Sequence, residues 1–202
     1  PMSHPPTSNV RHATPGDLPW MQDVLGRAFD DDPVWDWVLP PGIPRRHDRI
    51  STLMRMFADA HLPDGEVYVT DDRTAAAVWC PEGKWEIPVS YFVRHAIPLL
   101  RAIGLRRTPS LKVLLDVEKA HPKAPHYYLA LLGTDPLHQG KGHGGRLIRP
   151  IVERADAEGL GCYLESSKDT NVPFYRRFGF EVTGQYDIKG GPTIWYMWRD
   201  AR

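Results

Sequence analysis

The stretch Tyr127–Gly144, YYLALLGTDPLHQGKGHG, decides the fold of this chain. Its beginning belongs to a short apolar run, His126–Leu132, which is typical of a strand buried on both faces. A turn signal, Gly133–Pro136, follows the run, and a helical pattern begins after the last glycine. The order is therefore a strand, a glycine-rich loop and a helix.

The glycine-rich loop Gln139–Gly144 suits a phosphate group. Glycines let the backbone come close to a ligand, and the first N–H groups of a helix point outward at the positive end of its dipole. Lys141 adds a positive charge. A tight turn without a ligand is an equally open interpretation of the glycines alone. A P-loop needs Ser or Thr after Gly-Lys, where this chain has Gly142, and the G-x-G-x-G spacing does not fit a dinucleotide fingerprint.

Two signatures together point to a family. Gln139, Gly142 and Gly144 form Q-x-x-G-x-G, which resembles the acetyl-CoA signature of the GCN5-related N-acetyltransferase (GNAT) superfamily. Downstream, Asn171–Phe180 resembles the second signature, which ends in Tyr-x-x-x-Gly-Phe. Within the superfamily the chain looks most like the puromycin N-acetyltransferases, over nearly its whole length. The resemblance implies an α/β (α+β) GNAT fold, whose mixed, mainly antiparallel sheet is flanked by helices and splays open where acetyl-CoA enters.

The resemblance also implies a set of residues that bind acetyl-CoA. These are Leu132, Thr134, Gln139, Gly140, Lys141, Gly142, His143, Gly144 and Asn171. The first two resemble positions whose backbone pairs with the pantetheine arm, and Gln139–Gly144 would hold the pyrophosphate. Asn171 precedes Tyr175 by a shorter interval than is typical of the superfamily. Contact with CoA and capping of the short helix therefore both stay open for Asn171.

Acetyl transfer from a thioester to an amine sets two proton problems. The amine must lose a proton, and the departing thiolate leaves more readily when it gains one. The resemblance places Tyr175 beside the thioester sulfur, where its phenol can donate; a core aromatic role is the alternative. Glu165 is the base candidate, because it is the only acid in an otherwise neutral strand, Cys162–Ser166. A buried Glu that holds a loop is the alternative for Glu165.

The composition narrows the class of protein. The chain has 202 residues with 25 basic and 25 acidic side chains, which gives no reason to expect nucleic acid or an anionic membrane as a partner. No apolar run is long enough to span a bilayer. The two cysteines, Cys80 and Cys162, lie in apolar strand-like surroundings, which favours buried thiols in a reducing, cytoplasmic location over a disulfide. No His pair has metal-ligand spacing, so no metal is expected.

We expect a polar tail over residues 1–9 and a single acetyltransferase domain over residues 10–202. Helices are expected over Leu18–Phe29 and Arg45–His61, and a further helix over Leu111–Ala120. The acids Asp30–Asp32 are either a solvated turn or a negative rim that attracts a cationic amine. In this family the following loop, with Trp35 and Trp37, commonly lines the acceptor pocket.

These observations predict an acetyl-CoA-dependent N-acetyltransferase. The expected acceptor is a small-molecule amine, such as an aminonucleoside antibiotic like puromycin, and a homodimer is left open. A protein lysine or N-terminal amine is an alternative acceptor. A non-catalytic acyl-CoA-binding module, which would not need Tyr175, and a loop for another phosphate ligand are the other hypotheses.

Overall fold

A computed structural model describes residues 9–63, 65–105, 110, 113, 116–117 and 119–202. Its strands are β1 (Val10–His12), β2 (Glu66–Thr70), β3 (Ala75–Cys80), β4 (His126–Thr134), β5 (Gly161–Ser166), β6 (Glu181–Asp187) and β7 (Thr193–Arg199). Its α-helices are α1 (Leu18–Ala28), α2 (Pro33–Val38), α3 (Arg46–His61), α4 (Val89–Arg94), α5 (Ala96–Ile103), α6 (His143–Glu158) and α7 (Val172–Arg176).

The strands of the described residues form one sheet in the order β1-β2-β3-β4-β5-β7-β6. Every neighbouring pair is antiparallel except β4 with β5, which are parallel. The predicted mixed, mainly antiparallel sheet flanked by helices is confirmed. The crossover between the two parallel strands is α6, as expected of a parallel pair.

Strands β4 and β5 separate halfway along β4. Their last paired residues are Leu129 and Leu164, although β4 continues to Thr134. On its other side β4 stays paired with β3 as far as Thr134, but the register shifts so that Ala130 is an extra residue. Such a β-bulge bends the strand that carries it. The sheet is therefore splayed between β4 and β5, as the sequence resemblance implies.

Two apolar layers cover the sheet. Residues of α1, α2 and α3 pack on one face, where Leu25, Ile50 and Met54 are fully buried. Residues of α6 and α7 pack on the other face, where Leu147 and Ile151 are fully buried. Alternate residues of β2, β3 and β4 contribute to the two layers, as strands buried on both faces require.

Helices α1 and α3 lie close to the expected positions Leu18–Phe29 and Arg45–His61. Pro98 lies inside the first turn of α5, where proline is tolerated, and His95 separates α4 from α5. Helix α6 continues through Pro150. The expected helix Leu111–Ala120 lies largely outside the described residues, as does the tail apart from Asn9.

Other sequence expectations concern thiols, membranes and metals. Cys80 and Cys162 are buried and free, as predicted, and burial raises the pKa of both thiols to about 12. No described helix is long and apolar enough to cross a membrane. Within the described ranges, no group of three or more His, Cys, Asp or Glu side chains is arranged to hold a metal ion.

The carboxylate of Asp17 ties β1 to the start of α1. It accepts hydrogen bonds from both terminal guanidinium nitrogens of Arg11 at 2.8 Å, from the Thr14 amide at 2.8 Å and from the Trp20 indole N–H at 3.0 Å. The Arg11 hydrogen bond is the main reason that the pKa of Asp17 lies well below its usual value, against the opposing effect of burial. A carboxylate with a lowered pKa stabilises the fold above its unfolded pKa of about 3.9, and this contribution is lost as the pH falls below that value.

We therefore expect Asp17→Asn to lower the free energy of unfolding at pH 7 by about 2 to 3 kcal/mol, because hydrogen bonds to a charged group are lost. The loss should shrink below about pH 3.9. Denaturant unfolding at a series of pH values measures both effects. Asp23→Asn is the matched control, since Asp23 is exposed on the same helix. Equal destabilisation at pH 7 and pH 2 would contradict the prediction.

Candidate active site

A cleft of about 510 Å³ opens at the splayed end of β4. Its lining comes from the end of β4, the glycine-rich loop, the start of α6, the segment after β5 and helix α7. The lining residues are Ala28, Asp31, Leu132, Gly133, Thr134, His138, Gln139, Gly140, Gly142, His143, Gly144, Lys168, Thr170, Asn171, Phe174, Tyr175 and Arg177. Of the residues predicted to bind acetyl-CoA, all but Lys141 line it.

The glycine-rich loop reaches α6 through two left-handed residues. Gly140 has φ +76° and Gly142, the N-cap of α6, has φ +81°, a region that residues with a side chain rarely adopt. The amides of Gly144 and Gly145 precede the first hydrogen bond within the helix, from the Arg146 amide to the Gly142 carbonyl. Backbone donors and the positive end of the helix dipole therefore meet at the cleft, where an anionic group is stabilised.

The side chains of the loop have different surroundings. Gln139 donates from Nε2 to the Thr134 carbonyl at 3.3 Å, which links the loop to the end of β4. The Lys141 ammonium lies 3.5 Å from the Leu137 carbonyl and does not line the cleft. His143 is buried, and its Nδ1 accepts from Arg146 at 3.0 Å. Burial lowers the pKa of His143, so it offers the cleft a neutral ring rather than a charge.

Helices α6 and α7 meet closely at the cleft. A Cβ atom on Gly144 would lie 3.0 Å from Phe174 Cζ, and one on Gly145 would lie 3.1 Å from Phe178 Cζ. Glycines therefore let α7 approach the start of α6. Asn171 precedes α7 and lines the cleft, but its side chain makes no capping hydrogen bond. Asn171 therefore stands at the N-cap position of α7 without a side-chain cap, and its contact with CoA stays a prediction.

Tyr175 lies on α7 in the same cleft. It is 8% exposed, and its ring packs against Phe174 at 5.1 Å and Phe180 at 6.1 Å between centroids. Burial, and after it the Asp32 carboxylate, raises the pKa of the Tyr175 phenol above its usual value of about 10. The phenol is therefore protonated at neutral pH and can donate a proton within the cleft.

Glu165 lies one residue beyond the last β4–β5 pair and does not line that cleft. Side chains alternate along β5, so Glu165 and Tyr163 share the sheet face opposite to Leu164, which packs with α6. The Tyr128 hydroxyl donates to Glu165 Oε2 at 2.6 Å. Glu165 is half-buried. The acid and base candidates therefore lie on opposite faces of the splayed sheet.

The acidic turn Asp30–Asp32 is only partly solvated. Asp32 is buried. Its Oδ1 accepts hydrogen bonds from the amides of Val34 and Trp35 and so caps α2. Its Oδ2 accepts from the Ser167 hydroxyl. Burial raises the pKa of Asp32, against the effect of these hydrogen bonds. Of the three acids, Asp32 therefore belongs to the interior.

Sequence reasoning identified the acid Asp31 but missed the cations that line the cleft. The Asp31 carboxylate pairs with the Lys168 ammonium, so a residue after α1 meets one after β5. Lys168 and Arg177 line the cleft, whereas the predicted Lys141 does not. No spacing signal in the sequence identifies these two cations. Trp35 also differs from expectation, because it is only 7% exposed and belongs to the core, whereas Trp37 is half-buried.

Comparisons with known proteins agree with this geometry. The acetyltransferase (GNAT) domain family matches residues 113–182. An uncharacterized N-acetyltransferase of Schizosaccharomyces pombe is 48% identical over 167 residues, which are 78% of this chain and 68% of the relative. The structure of a Corynebacterium glutamicum protein named "histone acetyltransferase HPA2 and related acetyltransferase" superposes with a TM-score of 0.73 at 24% identity. The superposition covers 97% of each chain.

A Drosophila melanogaster polyamine N-acetyltransferase superposes with a TM-score of 0.66 at 17% identity, over 96% of this chain and all of that one. These two structural matches show the fold, while the yeast relative shows the family. Acetyl-CoA is the co-substrate that this family uses, and the glycine loop, the splayed strand edge and the cleft fit it. The chain therefore belongs to the GNAT superfamily and is an acetyl-CoA-dependent acetyltransferase.

Proposed function

We propose that this enzyme transfers acetyl from acetyl-CoA to the primary amine of a small molecule by direct attack. One observation carries the proposal: the N-terminal amides of α6 and the Tyr175 phenol line one cleft, where β4 leaves β5. Those amides would hold the pyrophosphate of CoA. The strand edge of β4 beyond Leu129 would pair with the pantetheine arm through Leu132 and Thr134.

Two side chains would carry the proton transfers. The amine nitrogen attacks the thioester carbonyl carbon, so an N–C bond forms and the C–S bond breaks. Glu165, directly or through water, accepts the proton that the nitrogen loses and later releases it to solvent. Tyr175 gives its phenolic proton to the departing sulfur and regains one from solvent. The products are the N-acetyl amide and the CoA thiol.

The placement of the two groups supports this assignment. Proton loss occurs at nitrogen and proton gain at sulfur, and these atoms lie on different sides of the reacting carbon. Tyr175 packs on the α6 side of the sheet and Glu165 lies on the other side, both at the splayed gap. An acceptor that approaches from the Glu165 side would therefore not compete with CoA for space.

The acceptor class is the finer part of the proposal. The structural relatives are named for histone and polyamine acetylation, so their names favour neither a protein nor a small molecule. A half-buried carboxylate among phenols favours a cationic amine. An aminonucleoside such as puromycin stays a prediction, and burial of Trp35 removes one ring that was expected to line the acceptor pocket.

We expect Tyr175→Phe to lower kcat about 100-fold or more, because the leaving thiolate loses its proton donor. CoA affinity should stay within about threefold of the parent, since the ring and its packing are kept. The assay follows CoA thiol release with a panel of polyamines, puromycin and a lysine peptide, and calorimetry gives the affinity. Tyr68→Phe is the control, because Tyr68 is a buried tyrosine of the same apolar layer. Full activity of Tyr175→Phe on every acceptor would overturn the role of the phenol.

We expect Gly142→Ala to weaken CoA binding about tenfold. An alanine at φ +81° costs roughly 1 to 2 kcal/mol, which the chain can relieve by re-aiming the amides at the start of α6. Gly159→Ala is the matched control, because Gly159 caps the other end of α6 at φ +69° with open space around it. Calorimetry with CoA and thermal unfolding separate affinity from stability. An equal loss of affinity in both variants would contradict the role of the loop.

A further inference from the structure

Three tyrosines from neighbouring strands surround Glu165. Tyr128 of β4 lies opposite Tyr163 of β5, and Tyr196 of β7 lies opposite Glu165 itself. The rings of Tyr128 and Tyr163 are 5.8 Å apart, and those of Tyr163 and Tyr196 are 6.5 Å apart. The carboxylate is therefore set in a row of phenols that crosses the sheet at the splayed gap.

The three phenols differ in what they do for the carboxylate. Tyr128 donates a hydrogen bond of 2.6 Å to Glu165 Oε2. The buried Tyr163 side chain lies on the same face of the sheet, and burial, followed by the charge and hydrogen bond of Glu165, raises the pKa of its phenol. Burial and the Glu165 charge raise the pKa of the Tyr128 phenol well above its usual value, so Tyr128 keeps its proton and acts only as a donor.

We infer that Tyr128 is a positioning residue for Glu165. Its hydroxyl holds one carboxylate oxygen, so that the carboxylate is oriented at the gap to take the proton of the attacking amine. This inference rests on the proposed role of Glu165 as base. A glutamate has several rotatable bonds, and a catalytic group must be held within a fraction of an ångström of its productive position. The short hydrogen bond from the adjacent strand restricts that freedom.

Other titratable groups lie near this cluster, and most of them do not titrate close to neutral pH. Burial, with His126 adding to it, lowers the pKa of His121, whose ring lies 4.8 Å from that of Tyr128, to about 4. Burial also lowers the pKa of His126. Burial raises the pKa of Cys80 to about 12, and burial and Glu165 raise the pKa of Tyr163 and Tyr196. Between about pH 6 and 9, His121, Cys80 and Tyr163 keep their protonation state.

The test is the pH profile of kcat/KM for Tyr128→Phe. A hydrogen bond to a carboxylate favours its charged form, so its loss should move the acidic limb to higher pH by about one unit and lower kcat/KM about tenfold at neutral pH. The KM for acetyl-CoA should not change, because Tyr128 does not line the cofactor cleft.

Tyr127→Phe is the matched control. Tyr127 precedes Tyr128, points to the opposite face and donates to Glu158 Oε2 at 2.8 Å. Its variant loses the same kind of Tyr–Glu hydrogen bond from the same strand without touching Glu165. A pH profile that shifts in Tyr128→Phe but not in Tyr127→Phe supports the inference. An unshifted profile in Tyr128→Phe, or an equal shift in both variants, overturns it.

A second measurement separates this inference from the proposed function. In a Glu165→Gln background, Tyr128→Phe should cause no further loss of kcat/KM, because the group that it positions is gone. Additive losses would mean that Tyr128 acts independently of Glu165 and would overturn the inference. If Glu165→Gln itself retains full activity with an unchanged profile, the proposed base is wrong, whereas a lost acidic limb in Glu165→Gln with a normal Tyr128→Phe rejects only the positioning role.

Discussion

The end of backbone pairing between β4 and β5 is the constraint on which the site depends. Backbone N–H and C=O groups inside a sheet need partners, and β4 continues for five residues after its last pair with β5 at Leu129. The bulge at Ala130 explains why the strands part there. An extended ligand arm can occupy the place of the missing strand, which is why a thioester carrier with amide groups suits this gap.

The same gap explains why the chemistry can be divided between two side chains. A closed sheet would isolate its two faces from each other, but here a reacting carbon in the gap can be approached from both. Tyr175 is buried on the α6 side, which keeps its phenol protonated. Glu165 is half-buried on the other side, where an acceptor from solvent can reach it. In the proposed mechanism, each proton transfer would thus take place in the environment that its direction requires.

Local sequence patterns predicted the parts of the site that local structure determines. The apolar run of β4, the glycine loop and the start of α6 follow from residues within a stretch of eighteen, and all of these elements form as expected. Contacts between distant residues could not be predicted in this way. The hydrogen bond between Tyr128 and Glu165 spans 37 positions, and no periodicity specifies which side chains of neighbouring strands meet. Lys141 was predicted to line the cleft because of its charge, but Lys168 lines the cleft and Lys141 does not.

Side chains of the acidic turn Asp30–Asp32 link the end of α1 to the segment that follows β5. Asp32 binds Ser167, and Asp31 binds Lys168, so two consecutive residues after α1 hold two consecutive residues after β5. These contacts span 135 and 137 positions and cross the cleft region where backbone pairing is absent. Because Asp32 is buried and also caps α2, its position is fixed by the core. Side chains of the turn therefore hold the segment after β5 in place beside the cleft, where β4 and β5 have no backbone pairing.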